Sequence, residues 1–99
     1  MTQPDDLLVL SSDGPHINAS GEIDVHTAPL LAASIDAAGD QVRLDLSLVE
    51  FVDSSGLRVL IEAHQRISEA GGQLTIVNPS SAVQRLFEIS GVTDYLVVE

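Results

Sequence analysis

The sequence has no cysteine. Disulfides, thiolate-bound zinc and cysteine nucleophiles are thereby excluded, and the absence fits a reducing compartment. Aromatic residues are nearly missing: Phe51, Phe87 and Tyr95 make up 3% of the chain, too few for a platform on which nucleic-acid bases stack. Basic residues are almost as scarce, four against fifteen acids, for a formal net charge of −11. A surface of that sign repels phosphate backbones and anionic lipid, which argues against nucleic acid and membranes as partners. No apolar run approaches the roughly 18 residues that a membrane span needs. The N-terminal MTQPDDLLVL has no basic region ahead of its apolar residues, so it does not read as a secretory signal. What is present is 99 residues, 44% of them apolar, enough for one domain over residues 1–99 with a modest core. The expectation is a small, soluble, acidic, cytoplasmic protein.

Hydrophobic period alternates along the chain between two and about 3.6 residues. Residues 7–10 are a short apolar run ending at Ser11-Ser12-Asp13-Gly14-Pro15, whose Asp-Gly-Pro is turn chemistry and predicts a hairpin into a strand over residues 16–23. There Ile17, Ala19, Gly21 and Ile23 share one face. Thr27 is a candidate N-cap for a helix carrying Leu30, Leu31, Ser34, Ile35 and Ala38, stopped by Gly39. Residues 42–49 are the clearest strand, with Val42, Leu44, Leu46 and Leu48 alternating with polar residues. A helix follows, striped by Leu57, Leu60, Ile61, His64 and Ile67 and ended by Gly71-Gly72. Residues 74–77 are a further strand. Ser81-Ala82-Val83-Gln84 reads as a capping box for a helix with Val83, Leu86, Phe87 and Ser90, and residues 95–98 form a last strand. The order β-β-α-β-α-β-α-β predicts an α/β fold with a mostly parallel sheet and an antiparallel first strand. Because the strands alternate rather than run continuously apolar, the helices are expected mainly on one face.

In such sheets the working loops lie beyond the carboxyl ends of the parallel strands. Three loops qualify, residues 24–27, 53–56 and 78–81, and all three are expected on one rim. Asp53-Ser54-Ser55-Gly56 is the most unusual. It joins the strongest strand to the strongest helix, with two serines where helix N–H groups lack partners. The plain reading is that Asp53 or Ser54 caps the helix. A sharper one, compatible with it, is that a serine here is phosphorylated, the charge being favoured by the helix dipole. The small residues would also let a partner's backbone approach. Arg58, one turn beyond Ser55, would face a phosphate or partner, or simply be solvated.

Other chemistry is poorly supported. His16, His26 and His64 lack metal-ligand spacing, and His64 reads as a satisfied, partly buried histidine. Val52-Asp53-Ser54-Ser55-Gly56 lacks the first glycine of a hydrolase nucleophile elbow. Neither Rossmann nor Walker glycine patterns occur, so neither an enzyme nor a cofactor is expected. Glu62 and Arg66 read as a supporting i,i+4 pair.

Three stretches taken together carry a resemblance: Gly21-Glu-Ile-Asp-Val-His-Thr-Ala28, Phe51-Val-Asp-Ser-Ser-Gly-Leu57 and Val83-Gln-Arg-Leu-Phe-Glu-Ile-Ser-Gly91. In this order and spacing, over nearly the whole chain, they resemble the anti-sigma factor antagonist family, whose domain is called STAS. The resemblance implies the same one-faced α/β fold and a role in bacterial partner switching. An unphosphorylated antagonist binds an anti-sigma factor, usually also a serine-protein kinase, and frees a sigma factor. The kinase phosphorylates the second serine of Asp-Ser-Ser-Gly, here Ser55, and a serine phosphatase reverses this. Asp24, Thr27, Asp53, Ser54, Ser55, Gly56 and Arg58 map to the partner-facing rim. Many members continue into a further helix where this sequence stops at Glu99, and a small residue is common where Arg58 stands. Ser54 is expected as the cap, which makes Ser55 the first helical residue with its hydroxyl outward. The alternative within the same domain class is an accessory subunit of an ABC-type lipid-transport complex, though such subunits often lack the phosphorylatable serine.

Overall fold

The alternation of Val42, Leu44 and Leu46 with Arg43 and Asp45 forms the first half of β3 (Gln41–Val52), the middle strand of the sheet. The structure is a computed structural model that describes residues 8–99; Leu7, expected to open the first strand, and the N-terminal residues before it lie outside the described residues. The five strands lie in chain order, β1 (Val9–Asp13), β2 (His16–Ile23), β3, β4 (Gln73–Val77) and β5 (Val97–Val98). β1 and β2 pair antiparallel and the remaining pairs are parallel. Three helices, α1 (Ala28–Ala38), α2 (Ser54–Glu69) and α3 (Ser81–Ser90), make the crossovers. Right-handed crossovers between strands laid down in one direction deliver every helix to the same face. Between sheet and helices lies one core, with Ile17, Ile23, Leu31, Ile35, Leu44, Leu46, Leu60 and Phe87 sealed from water. The expected architecture is the one that forms.

Several local expectations give way to tertiary geometry. Ser11 and Ser12 remain in β1, and the turn is only Gly14-Pro15, with Gly14 at φ 61°. As part of an exposed edge strand, the serines keep contact with water while pairing with Asn18 and Ile17. β3 runs on to Val52, but its alternation breaks. Its register against β2 slips between Asn18 and Ser20 and again between Gly21 and Glu22, placing one extra residue in β3 each time. The inward residues are therefore Val42, Leu44, Leu46, Val49 and Val52, and Leu48 turns out into water. In α1 the contact is made by Ala28, Leu31 and Ile35, leaving Leu30 exposed. In α2 the buried line is Gly56, Leu60, Ala63 and Ile67, with Leu57, Ile61 and His64 half-buried beside it.

The chain's third quarter and its end also differ from expectation. Ser80, not Ser81, caps α3: its hydroxyl accepts from the Val83 N–H at 3.2 Å and donates to the Val49 carbonyl at 2.6 Å. Tyr95, expected to open the last strand, closes a 3₁₀ turn over Thr93–Tyr95, and β5 is only Val97–Val98. Glu62 does not hold Arg66. It pairs back to Arg58 at 3.6 Å, while Arg66 reaches Asp36 of α1 at 2.6 Å, where the packed helices bring a carboxylate within its span. Arg43 and Glu99 pair across the helix-free face, above Thr75, which is buried opposite Arg43 in the ladder.

Candidate functional site

β2 and β3 end level with one another, Ile23 beside Val52, and the Asp53 N–H continues the ladder by donating to the Ile23 carbonyl at 3.0 Å. Loops 24–27 and 53–56 therefore stand side by side on one rim. The third expected loop does not join them. β4 stops opposite Asp45, and Ser80 meets β3 at Leu46, whose carbonyl takes its N–H, and at Val49, whose carbonyl takes its hydroxyl, so residues 78–81 start about seven residues back along β3 and Ser80 lies three residues short of Val52. At roughly 3.3 Å per residue this sets Ser80 on the order of 10 Å below the rim. The reason is the length of β3, which outruns β4.

The first loop is locked by Asp24. Its Oδ1 accepts from the N–H groups of His26 at 2.9 Å and Thr27 at 3.0 Å. Thr27 is buried at 2% exposure; its hydroxyl donates to the Glu22 carbonyl and accepts from the Asp24 N–H, both at 2.9 Å. It sits at the N-cap position of α1 but its side chain caps nothing, because the hydroxyl is already spent on the loop. Thr27 thus shapes the rim from below, while Val25 stands exposed at its tip. The Thr27 N–H, and then that of His26, hold the Asp24 carboxyl below its ordinary value despite an opposing contribution from burial. A depressed carboxyl stabilises the fold above its unfolded value near 3.8 and loses that contribution as pH falls through the folded value. Asp24→Asn, which keeps an acceptor oxygen, is expected to flatten the loss of stability below about pH 4. Urea melts across pH 2.5 to 6 check this, and parallel curves for both proteins would contradict it.

The second loop differs from expectation in which residue caps. Asp53 is the N-cap of α2, in extended conformation, with Oδ1 accepting from the N–H groups of Ser55 at 2.9 Å and Gly56 at 3.1 Å. Asp reaches the N2 and N3 donors from this position, so Ser54 becomes the first helical residue and Ser55 the second. Those donors are therefore satisfied rather than open. Ser54 is exposed and Ser55 half-buried, and among the described residues neither hydroxyl has an intramolecular hydrogen-bond partner. Gly56 is buried and faces inward, not toward a partner. A Cβ there would lie 2.7 Å from both Ile23 Cγ2 and Val52 Cγ1. Both are methyls of stiff β-branched side chains, so the helix start would have to lift. Gly56→Ala is expected to cost about 1–3 kcal/mol as an overpacked contact, read as a lower urea midpoint at unchanged slope.

Ser54, Ser55, Arg58 and Val59 of α2 face Val25, Ala28 and Pro29 across a groove of about 490 Å³. A second groove of similar volume lies on the other side of Arg58, walled by Leu57, Ile61 and Val92. Arg58 forms the ridge between them, with its side chain 78% exposed. Val25, Pro29 and Val59 were missed as rim residues; an apolar residue in an otherwise polar loop is the one signal that points to Val25. No carboxylate lines the first groove, although the chain carries fifteen acids. His64 lies away from this site, and its Nδ1 is buried without a hydrogen-bond partner among the described residues, contrary to the expected satisfied histidine.

A one-faced α/β domain whose rim presents uncommitted serine hydroxyls over an apolar groove is a regulatory binding module. A family model described as "Mlab, STAS domain" matches residues 8–99. An anti-sigma-B factor antagonist of Bacillus subtilis is 35% identical over 83 residues, covering 81% of this chain and 76% of that relative. The crystal structure of an anti-sigma factor antagonist from Mycobacterium paratuberculosis superposes with a TM-score of 0.76 at 27% identity, over 99% of this chain and 89% of that one. SpoIIAA in its unphosphorylated form shares the fold at a TM-score of 0.71 and 21% identity, over 93% and 87%. The chain belongs to the STAS-domain family and, within it, to the anti-sigma factor antagonists. These relatives are named as regulators rather than enzymes.

Proposed function

We propose that the chain is a phosphorylation-controlled anti-sigma factor antagonist, working in the cytoplasm as one domain over residues 1–99. Its unphosphorylated form binds an anti-sigma factor through Asp24, Ser54, Ser55 and Arg58, and so frees a sigma factor. Asp53, Thr27 and Gly56 hold that surface in shape. The anti-sigma factor or a companion serine kinase phosphorylates Ser55, which releases the antagonist, and a serine phosphatase restores it. The observation that carries the reading is the cap. Because Asp53 rather than Ser54 takes the N–H groups of Ser55 and Gly56, neither serine hydroxyl is committed to the cap, and Ser54 and Ser55 both line the groove. The antagonist name of the Bacillus subtilis relative supports the partner class. Among the described residues no helix is long and apolar enough to cross a membrane. The lipid-transport alternative is not favoured, since the relatives matching most of the chain are named as antagonists.

Two measurements test this. Affinity capture from the native cell, with the protein unphosphorylated and phosphorylated, is expected to recover a kinase-fold protein with the first form only. Recovery of an ABC ATPase in its place would overturn the reading. Incubation with the recovered kinase and Mg-ATP is expected to label Ser55, and Ser55→Ala to abolish labelling with its circular dichroism unchanged. Phosphate mapped to Ser54 would move the site.

A further inference from the structure

The two bulges in β3 have an effect on the face that carries no helix. In the sheet ladders Val9 pairs with Ser20, and Ser20 with Leu48. Paired residues point to the same side, and alternation against inward Ala19 and Val49 places this row outward. In the next outward row Glu22 pairs with Phe51. Val9, Leu48 and Phe51 are 63%, 66% and 47% exposed. Only the small Ser20 and the stem of Glu22 separate them, so they form one apolar patch. Without the bulges Leu48 would have pointed into the core. Single exposed apolar residues are ordinary, but a cluster of large ones, rimmed by polar groups, marks an interaction site.

The charges around the patch say what fits it. Glu22 lies within it, and Glu50, the extra residue of the second bulge, is exposed at its border. The chain's basic residues are Arg43, Arg58, Arg66 and Arg85. Arg58 and Arg66 are on α2 and Arg85 on α3, across the domain from this face. Arg43 is on the face but at the other end of β3, paired with Glu99. A second copy would therefore oppose carboxylate to carboxylate with no arginine to answer them, on a chain of net charge −11.

We propose that this patch is a docking surface for a protein segment that presents apolar side chains flanked by lysine or arginine. The apolar contacts supply the anchor, and the cations pair with Glu22 and Glu50 at the rim of the contact. The surface lies on the sheet face opposite α2 and stands independently of the reading of Ser55.

The test uses the full chain, ¹⁵N-labelled, titrated with a short synthetic peptide alternating leucine with arginine. A control peptide has glutamate in place of arginine. The expected result is amide shifts confined to Val9, Ser20, Glu22, Leu48, Phe51 and their neighbours with the basic peptide only. The affinity is expected to fall at least about tenfold in Leu48→Ser and in Phe51→Ser and to weaken with added salt. Both positions are exposed, so the variants are expected to keep their fold, checked by circular dichroism; the shift map of the unaltered chain is a second reading that needs no variant. Shifts scattered over the acidic surface, or an affinity unchanged in both variants, overturn the proposal. So does concentration-dependent shifting of the same amides without peptide, which would assign the patch to a second copy.

Discussion

Leu44→Ala is expected to cost about 2–5 kcal/mol, whereas Leu48→Ala, four residues along the same strand, is expected to stay within about 0.5 kcal/mol. Leu44 has no exposed surface and sits in a ladder row between Ile17 and Ile76, both buried. Its truncation removes several methyl groups from the driest part of the core. The neighbours on both sides are fixed by strand pairing and cannot collapse into the space, so a cavity cost is added to the lost transfer energy. Leu48 is the same residue in the same strand but lies beyond the first bulge and is 66% exposed. Little surface returns to water when it is shortened. Arg43→Ala, on the outward face, is also expected to stay near 0.5 kcal/mol, because its pair with Glu99 is open to solvent on both sides. Urea melts of the three variants decide between registers. Equal losses at Leu44 and Leu48 would mean that β3 runs without its bulges.

That contrast also marks how far the sequence could be read. Strand and helix order, the antiparallel first pair and the single covered face were legible because period-2 and period-3.6 patterns are local and each recurs several times. Val42, Leu44 and Leu46 announce a strand by themselves. A bulge announces itself only as a break: adjacent Leu48 and Val49 and a Glu50 that strict alternation would turn inward end the pattern, and only pairing with β2 shows where the extra residues have slipped in. The same holds at the rim. The Asp-Ser-Ser-Gly stretch was visible as a helix start, but whether Asp53 or Ser54 caps depends on where β3 hands over. That is fixed by the bond from the Asp53 N–H to the Ile23 carbonyl, thirty residues away in sequence. Gly56 looked like an opening for a partner and is instead a close approach to Ile23 and Val52. Arg66 and Glu62 fit a helical pair, yet Asp36 of the neighbouring helix takes the guanidinium. In each case local chemistry was correct as far as it went, and a tertiary neighbour decided between options that sequence leaves equal.

Phosphorylation of Ser55 is expected to lower affinity for the anti-sigma factor at least about 100-fold while leaving the fold in place, several kcal/mol of like-charge and desolvation cost falling on the contact. The modification adds about −1.5 to −2 charges at pH 7. Within the domain that charge is tolerated. It stands at the second position of α2, where the dipole favours it by roughly 0.3–1 kcal/mol, and Arg58 is one turn away with only a 3.6 Å contact to Glu62 to give up. What it does not gain is a nest of backbone donors. The N–H groups of Ser55 and Gly56 already point at Asp53 Oδ1. The phosphate is therefore left outward, over the groove and near the Asp53 carboxylate that caps its own helix, where an unmodified partner contact would need a small neutral hydroxyl. Ser55→Ala is expected to bind constitutively. Ser55→Asp is expected to bind weakly but less so than the phosphoprotein, having one charge and fewer acceptor oxygens. Calorimetry on the forms gives the affinities. Amide shifts on phosphorylation are expected to remain within residues 24–27 and 53–59, since the cap and the Gly56 contact hold the helix start to the sheet. Shifts spreading through β4 and α3 would mean that release works through a change of conformation rather than through charge and bulk at the contact.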